Sequence, residues 1–504
     1  MQPQRPEVPP RFLDRVLAAL LAGFIPLHIM AWSAYPPDAD PVNFFMALGD
    51  FDVSQDRPHP PGYPGYVLGG RLLALLAGPQ HAYQLLNLLL LLLTSVVLYA
   101  VLRHAGRAAT GVALVAVTVT HPLALAATVI AESYVSDLTF SVLVFATVYF
   151  ASLRRKHLAL SVFAVFFACG MFRAVSCVML IPLALATAAV MNRTHWKRQV
   201  AHTLLAAVCA TALAYASTVL SAGGLESYRA ATARVMGGAF SAASVLGGAP
   251  LASHLRMLGK FLGWFAVTAL LYPLLLAGAA AIGEGWQRSL PRLEPADRWL
   301  LAAWILPSFA FYALVYYLKP TYHLVYLAPL LYIAAAMAQR LTRQAPWLLA
   351  LVIAAIVVAQ LAFFFFGGPR LPAPLYRLTR AYIEHQDERM KRIAEATKQL
   401  SPADMLVWVG APALSPYLAR LVSGDEAIAV YDATDRSVHF WHPYSIRWDS
   451  DWSSVTKGRG HLGRILVVAD RADGLNISWH DVPPAVQSTP GFEGFMPAVM
   501  PSPP

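Results

Sequence analysis

Charge is what this chain has least of. Only 13% of its 504 residues are Asp, Glu, Lys or Arg, against roughly 25% in soluble domains. That deficit excludes an ordinary soluble enzyme. Cysteine is scarce too: Cys169, Cys177 and Cys209 all fall inside apolar stretches. They read as small core residues, and no disulfide framework is implied. No segment of the sequence repeats, which counts against transporters built from paired repeats. Nor is there a long basic face. The net charge is +10, yet the cations sit in short loops, so nucleic acid is not an expected partner.

What is abundant is apolar surface, 57% of the residues. "LLNLLLLLLTSVVLYAVL" and "LVIAAIVVAQLAFFFF" have the length and near-absence of charge that suit a bilayer core. The first apolar segment, Phe12 to Ala34, is too long for a signal-peptide core and lacks a convincing small-residue cleavage site, so it is kept as a helix. About eleven spans are expected, over 12–34, 81–102, 109–127, 134–152, 158–172, 175–191, 200–221, 260–282, 298–317, 322–338 and 346–366. Cations recur at every second loop: Arg103 and Arg107, Arg154-Arg155-Lys156, Arg193 with Lys197-Arg198, Arg288 with Arg292, and Arg340 with Arg343. The positive-inside rule makes those loops cytoplasmic. An odd number of spans starting inside ends outside, so the N-terminus is expected in the cytoplasm and residues 367–504 across the membrane.

The expected fold class is an α-helical polytopic membrane protein with a small C-terminal α/β domain. Residues 1–366 form the membrane module and 367–504 the outer domain, with a breaker at "FFFFGGPRLPAPLY" between them. In the outer domain "MLVWV", "AIAVY" and "RILVVA" read as strands, with a helix around Pro416 to Leu421 and a Pro-rich tail. The first outward loop, 35–80, is richest in polar chemistry. "PVNFFMALGD" and "GYVLGGRLLALLAG" read as short interfacial helices on either side of the proline elbow "DRPHPPGYPGY". Those prolines fix φ and bias their neighbours toward extended geometry, so the elbow can hold both helices rigidly.

Four outward loops concentrate polar groups that are costly near a membrane without a purpose. They hold Asp38, Asp40, Asp50, Asp52, Asp56, Arg57 and His59; then Glu132, Tyr134 and Asp137; then Arg173; then Lys319, Tyr322 and His323. Acids, bases and cations on one side of a membrane suit transfer from a lipid-phosphate donor. Each residue also has a plainer reading. Asp40 can cap the helix that follows, and Asp50, Asp52 and Asp56 suit solvated turns. Arg173 and Lys319 can snorkel, and His59 and His323 can be structural. Glu132 and Asp137, five apart, would point about 140° away from each other on a helix; at most one is expected to face the site, preferably Glu132. Asp38-Ala39-Asp40 has the spacing to hold a divalent metal.

"DADPVNFFMALGDFDVSQDRPHPPGYPGY" resembles the first outward loop of GT-C-fold glycosyltransferases that use polyprenyl-phosphate sugars. These include the protein O-mannosyltransferases and the lipid A aminoarabinose transferase. The resemblance places Asp40 at the family's catalytic Asp and His59-Pro60-Pro61 at its elbow. "LKPTYHLVYLAP", Leu318 to Pro329, resembles the family's later segment whose basic residue meets the donor phosphate, and "AESYVSD" the acidic start of its fourth helix. It covers roughly residues 12–366, specifically in the first loop and loosely elsewhere; the C-terminal domain resembles no identified family. It implies transfer of a sugar from a polyprenyl-phosphate donor to a glycan, lipid or protein hydroxyl on the outer face of a membrane. The Ala/Leu/Arg-rich, Lys-poor composition suggests a bacterial inner membrane.

In that chemistry Asp40 is the candidate base and Glu132 a second catalytic acid. Arg173 and Lys319, with Arg57 and His323 behind them, are the candidates to stabilise the departing phosphate. His59, Asp38, Asp137 and Tyr322 complete the candidate set. No cofactor is required, and a divalent metal on Asp38 and Asp40 is the alternative. One-step attack would invert the anomeric centre. The rivals are a transporter or flippase of lipid-linked sugar and a non-catalytic relative that only binds lipid-linked glycan.

Overall fold

The computed structural model describes residues 10–37, 39–55, 57–154, 157–192, 194–233, 244–266, 295–315, 317, 319–333, 346–401, 404–409, 428–432, 437–442, 445–449, 464–471 and 474–481. The chain divides into two compact units. One is 1–32 with 51–382; the other is 33–50 with 383–504.

The first unit is built of apolar helices: α1 Pro10–Met30, α3 Pro64–His104, α4 Ala108–Val119, α5 Pro122–Val129, α6 Val135–Arg154, α7 Leu158–Met191 and α8 Trp196–Ser221. Helices Leu251–Trp264, Pro295–Leu314 and Pro346–Phe366 follow. Five of the described helices are long and apolar enough to cross a membrane, or six with α4 and α5 as one bent span. The chain is a multi-pass membrane protein. The expected spans 260–282 and 322–338 lie partly outside the described residues.

Three departures from straight helices place the polar residues. In α3, Gly78 is non-helical at φ 72°, ψ 163°, with Pro79 behind it. Tyr66 nevertheless donates to Asn87 Oδ1 at 3.1 Å and stacks on Tyr83 with centroids 4.8 Å apart. A straight helix would separate residues 66 and 87 by about 30 Å, so the arm 64–77 doubles back along the span that follows. Leu68, Leu72, Leu75 and Leu76 are exposed on that arm. In α7 the break is Arg173, at φ −153°, ψ 91°. Cys177 Sγ donates to the carbonyl of Phe166 at 3.2 Å, where a straight helix would hold residues eleven apart at about 16 Å. The two expected spans on either side of Arg173 are therefore antiparallel arms of one hairpin. A Cβ at Gly170 would meet Ala214 at 2.5 Å, so only glycine lets the first arm lie this close to α8. The span expected over 109–127 is not continuous. It bends by 56° between α4 and α5, because Pro122 cannot donate to a continuing helix and His121 caps the new one through its Nδ1, which accepts from the Leu123 N–H at 3.2 Å.

The second unit holds a six-stranded sheet in the order β4-β3-β2-β1-β5-β6. Its strands are β1 Met405–Val409, β2 Ile428–Asp432, β3 Ser437–His442, β4 Ser445–Asp449, β5 Arg464–Arg471 and β6 Gly474–Asp481. β1 is parallel to both β2 and β5, and hairpins extend the sheet at either edge. The three expected strands are β1, β2 and β5, the parallel centre; the helix expected near Pro416 lies outside the described residues. The helix Ala39–Gly49, α2, belongs to this unit. Its Val42 and Met46 share a buried core with Met390, Ile393, Leu400, Leu406, Leu466 and Val468. Asp387 ties down the chain before α2, accepting from the Ser33 hydroxyl at 2.6 Å and from the N–H groups of Ala34 and Tyr35 at 2.9 and 3.0 Å.

Candidate functional site

The acidic loop of "AESYVSD" and the hairpin turn of α7 meet within the first unit. Arg173 is side-chain buried, 8% exposed, with its Nε 2.7 Å from Asp137 Oδ1, and Asp137 is wholly buried. Its Nη1 donates to Ser133 Oγ at 3.1 Å, and the Ser176 hydroxyl donates to Asp137. Because the break of α7 falls at Arg173, this side chain reaches the start of α6 rather than lying along a helix into lipid. The snorkelling reading therefore does not describe it.

The second pair comes from further along the chain. Lys319 leads into the short 3-10 turn Pro320–Tyr326, and its Nζ lies 2.8 Å from Glu132 Oε1, with Lys319 23% and Glu132 8% exposed. Tyr134 joins the two pairs. The Arg173 guanidinium lies 4.5 Å from its ring centroid and the Lys319 ammonium 5.6 Å, both within cation–π reach. Tyr322 packs edge-on against the same ring at 5.2 Å. The arrangement is two cations and two carboxylates around one aromatic ring.

The expectation that at most one of Glu132 and Asp137 faces this region is corrected. It assumed one helix through both, but α6 begins at Val135, so Glu132 lies in the preceding turn and the helical angle does not apply. Both acids meet a cation of the cluster. Elsewhere, the elbow's Arg57 is buried, and its main chain pairs with Asp52 through bonds of 2.6 and 2.9 Å. His59 Nε2 is 3.3 Å from the Tyr63 hydroxyl, and the Tyr63 ring lies 5.8 Å from the Arg173 guanidinium. His59 thus connects to the cluster through Tyr63. A Cβ on Gly62 (φ 103°) would meet Thr218 at 2.6 Å, so the elbow's tight seat against α8 needs glycine.

His323 is fully buried. Its Nε2 is 3.2 Å from the Tyr317 hydroxyl and its Nδ1 meets that of Tyr326, which gives it a structural place rather than an open one. Asp40 stands in the first turn of α2, in the second unit. The helix begins at Ala39, so Asp40 is its second residue rather than the cap expected before Pro41, and an acid there complements the helix dipole. Asp38 lies outside the described residues. Among the described residues no three His, Cys, Asp or Glu side chains gather as metal ligands would.

Sequence reasoning missed Asn87, Ser133, Ser176 and Tyr63. A lone Asn in "LLNLLLLLL" was the one visible signal, a polar amide that lipid would not tolerate unpaired.

Comparison with solved structures decides what kind of scaffold carries this cluster. ArnT from Cupriavidus metallidurans bound to undecaprenyl phosphate matches with a TM-score of 0.56 at 12% identity, over 90% of this chain and 93% of that one. The same protein in the apo state matches at 0.53 and 14% identity, with the same coverage. The fold is GT-C. An oligosaccharyltransferase from Archaeoglobus fulgidus, in complex with zinc and sulfate, is more distant, with a TM-score of 0.46 at 12% identity over 80% of this chain and 61% of that one. No family model and no curated protein sequence matches the chain. The GT-C fold is the one that the first-loop residues led us to expect, and the likeness extends over 90% of the chain.

Within this fold the cluster sits at one end of its helices. α6 carries Asp137 in its first turn, at the cluster, and ends at Arg154, about 25 Å away at the helical rise. The basic loop after α6 and the cluster therefore occupy opposite ends of the same helix.

Proposed function

We propose that the protein is an integral membrane glycosyltransferase that moves a sugar from a polyprenyl-phosphate carrier to an acceptor hydroxyl on the outer face of a bacterial inner membrane. One observation carries the reading: Lys319 and Arg173 converge on Tyr134 from separate elements, and Lys319 keeps partial exposure. An amphiphile with an anionic head is the ligand class that such a site, at one end of lipid-spanning helices, can grip. The likeness to ArnT, solved with undecaprenyl phosphate, supports the same reading.

The acceptor oxygen attacks the anomeric carbon, and the bond from that carbon to the phosphate oxygen breaks. The electron pair leaves with the polyprenyl phosphate, and the hydroxyl proton passes to a carboxylate. Inversion follows from a single displacement. Lys319 takes up the charge growing on the phosphate, and Arg173, paired with Asp137, holds Tyr134 in place beside it. Glu132 holds Lys319 in place until the phosphate competes for it. The base is Asp40 by resemblance; in the alternative, Asp38 and Asp40 would hold a divalent metal, which would supply charge stabilisation for the departing phosphate. With the basic loops cytoplasmic, the cluster faces the periplasm.

Asp40→Asn in membranes, assayed for transfer of radiolabelled sugar from polyprenyl carriers, tests the base. Loss of transfer by about 100-fold or more fits general-base catalysis. Transfer at the normal rate removes Asp40 from the mechanism.

A further inference from the structure

Asn87 lies wholly buried in α3, and its side-chain amide is occupied on both sides. Nδ2 donates to the carbonyls of Ala127 at 3.4 Å, Ile130 at 3.1 Å and Glu132 at 2.9 Å. Oδ1 accepts from the Tyr66 hydroxyl. Carbonyl oxygens only accept, so the amide has one orientation here, with nitrogen toward the loop and oxygen toward Tyr66. The Ala127 carbonyl belongs to the last turn of α5, where the helix leaves its own acceptors unbonded, and the Ile130 carbonyl, just past that helix, also accepts from the Glu132 N–H at 2.8 Å. The third carbonyl is that of Glu132, whose carboxylate meets Lys319.

We propose that Asn87 is a positioning residue for the phosphate grip. By fixing the main chain of Glu132 it sets where that carboxylate presents Lys319, and Tyr66 fixes the orientation of Asn87 in turn. Tyr66 stands in the arm that follows the proline elbow, so the elbow's helix and the acidic loop are latched together through one amide. This rests on the reading of Lys319 as the phosphate-binding cation. Glu132, Asn87 and Tyr66 would act through it without touching the ligand.

Two measurements separate this role from plain helix capping. Polyprenyl phosphate binding to the purified chain should weaken at least tenfold in Asn87→Leu and about threefold in Tyr66→Phe, which keeps the ring packing. The double variant Asn87→Leu/Lys319→Gln should bind no more weakly than Lys319→Gln alone. Additive losses, or wild-type affinity in both single variants with normal melting temperature, would overturn the proposal. The second measurement does not depend on ligand. In a Glu132→Cys/Lys319→Cys protein, the yield of thiol cross-linking with a short bismaleimide should fall several-fold when Tyr66→Phe or Asn87→Leu is added. Unchanged yield means that Asn87 does not position Glu132, whatever the chain binds. A chain that binds no polyprenyl phosphate but shows the cross-linking loss would sink the functional reading and leave the positioning intact.

Discussion

The two ion pairs around Tyr134 look alike in composition and differ in access. Arg173–Asp137 is buried on both sides, 8% and 0% exposed, and is enclosed by two serines. Lys319–Glu132 leaves the lysine side chain 23% exposed. A buried pair is strongly destabilising to break, because the survivor is an uncompensated charge in a low-dielectric setting. A pair with an open cation can exchange one anion for another at small cost. The first is therefore a fixture that shapes the site, and the second is the part that a ligand can reach. Two cations on one ring thus differ in access.

Breaking the buried pair gives the largest expected effect. Asp137→Ala should lower stability by about 3–5 kcal/mol, read as a large drop in melting temperature of the detergent-purified protein. Transfer would fail with the fold. Lys319→Ala should do the reverse. Transfer falls about 100- to 1000-fold, worth about 2.7–4 kcal/mol of barrier, while stability falls by less than in Asp137→Ala, because the pair is buried on the Glu132 side only and Lys319 is 23% exposed. Equal stability losses in the two variants would erase the distinction.

Gly62→Ala sharpens the comparison from the elbow side. The new methyl meets Thr218 and the positive φ is strained, at a cost of about 1–3 kcal/mol. Since Tyr63 lies beside Arg173, transfer should fall further than stability alone accounts for, as measured by activity per folded molecule. The smallest effect is expected at a third pair, in the C-terminal unit. Asp404 accepts from Arg464 at 2.9 Å and from the Ser401 N–H and hydroxyl, each at 2.9 Å. Burial alone would raise its pKa, but these bonds outweigh it and hold the carboxyl below its ordinary value. The folded value lies below the unfolded one, so the contribution is complete above about pH 4 and fades as pH falls through the lower folded value. Arg464→Gln should therefore begin acid unfolding at a higher pH, seen by circular dichroism on titration from pH 6 to 2.

How much of this was legible in the sequence depends on chain distance. The elbow was legible because proline and glycine act on their immediate neighbours. Most apolar spans were legible because length and composition are local. The grip was partly legible: Glu132, Arg173 and Lys319 stood out as polar groups near helix ends. Their pairing did not, since residues 132 and 319 meet only through the fold. The docking of α2 on Met390 and Ile393 is equally non-local, and "PVNFF" reads the same on lipid as on a protein core. β3, β4 and β6 were missed because "SVHFWH", "SIRWD" and "GLNISWHD" mix aromatics with polar groups, without the apolar runs of the parallel centre. The break in α3 at Gly78-Pro79 was legible, since the expected helix ends at Gly78 and the expected span begins at 81, but the direction in which the arm turns back was not.

The most direct test of the account compares the binding of polyprenyl phosphate with that of the uncharged polyprenol, in wild-type protein and in Lys319→Gln. The account predicts that the wild type prefers the phosphate at least tenfold, and that the variant loses most of this preference while remaining folded. Equal binding of phosphate and alcohol by the wild type, or an undiminished preference in the variant, would contradict it.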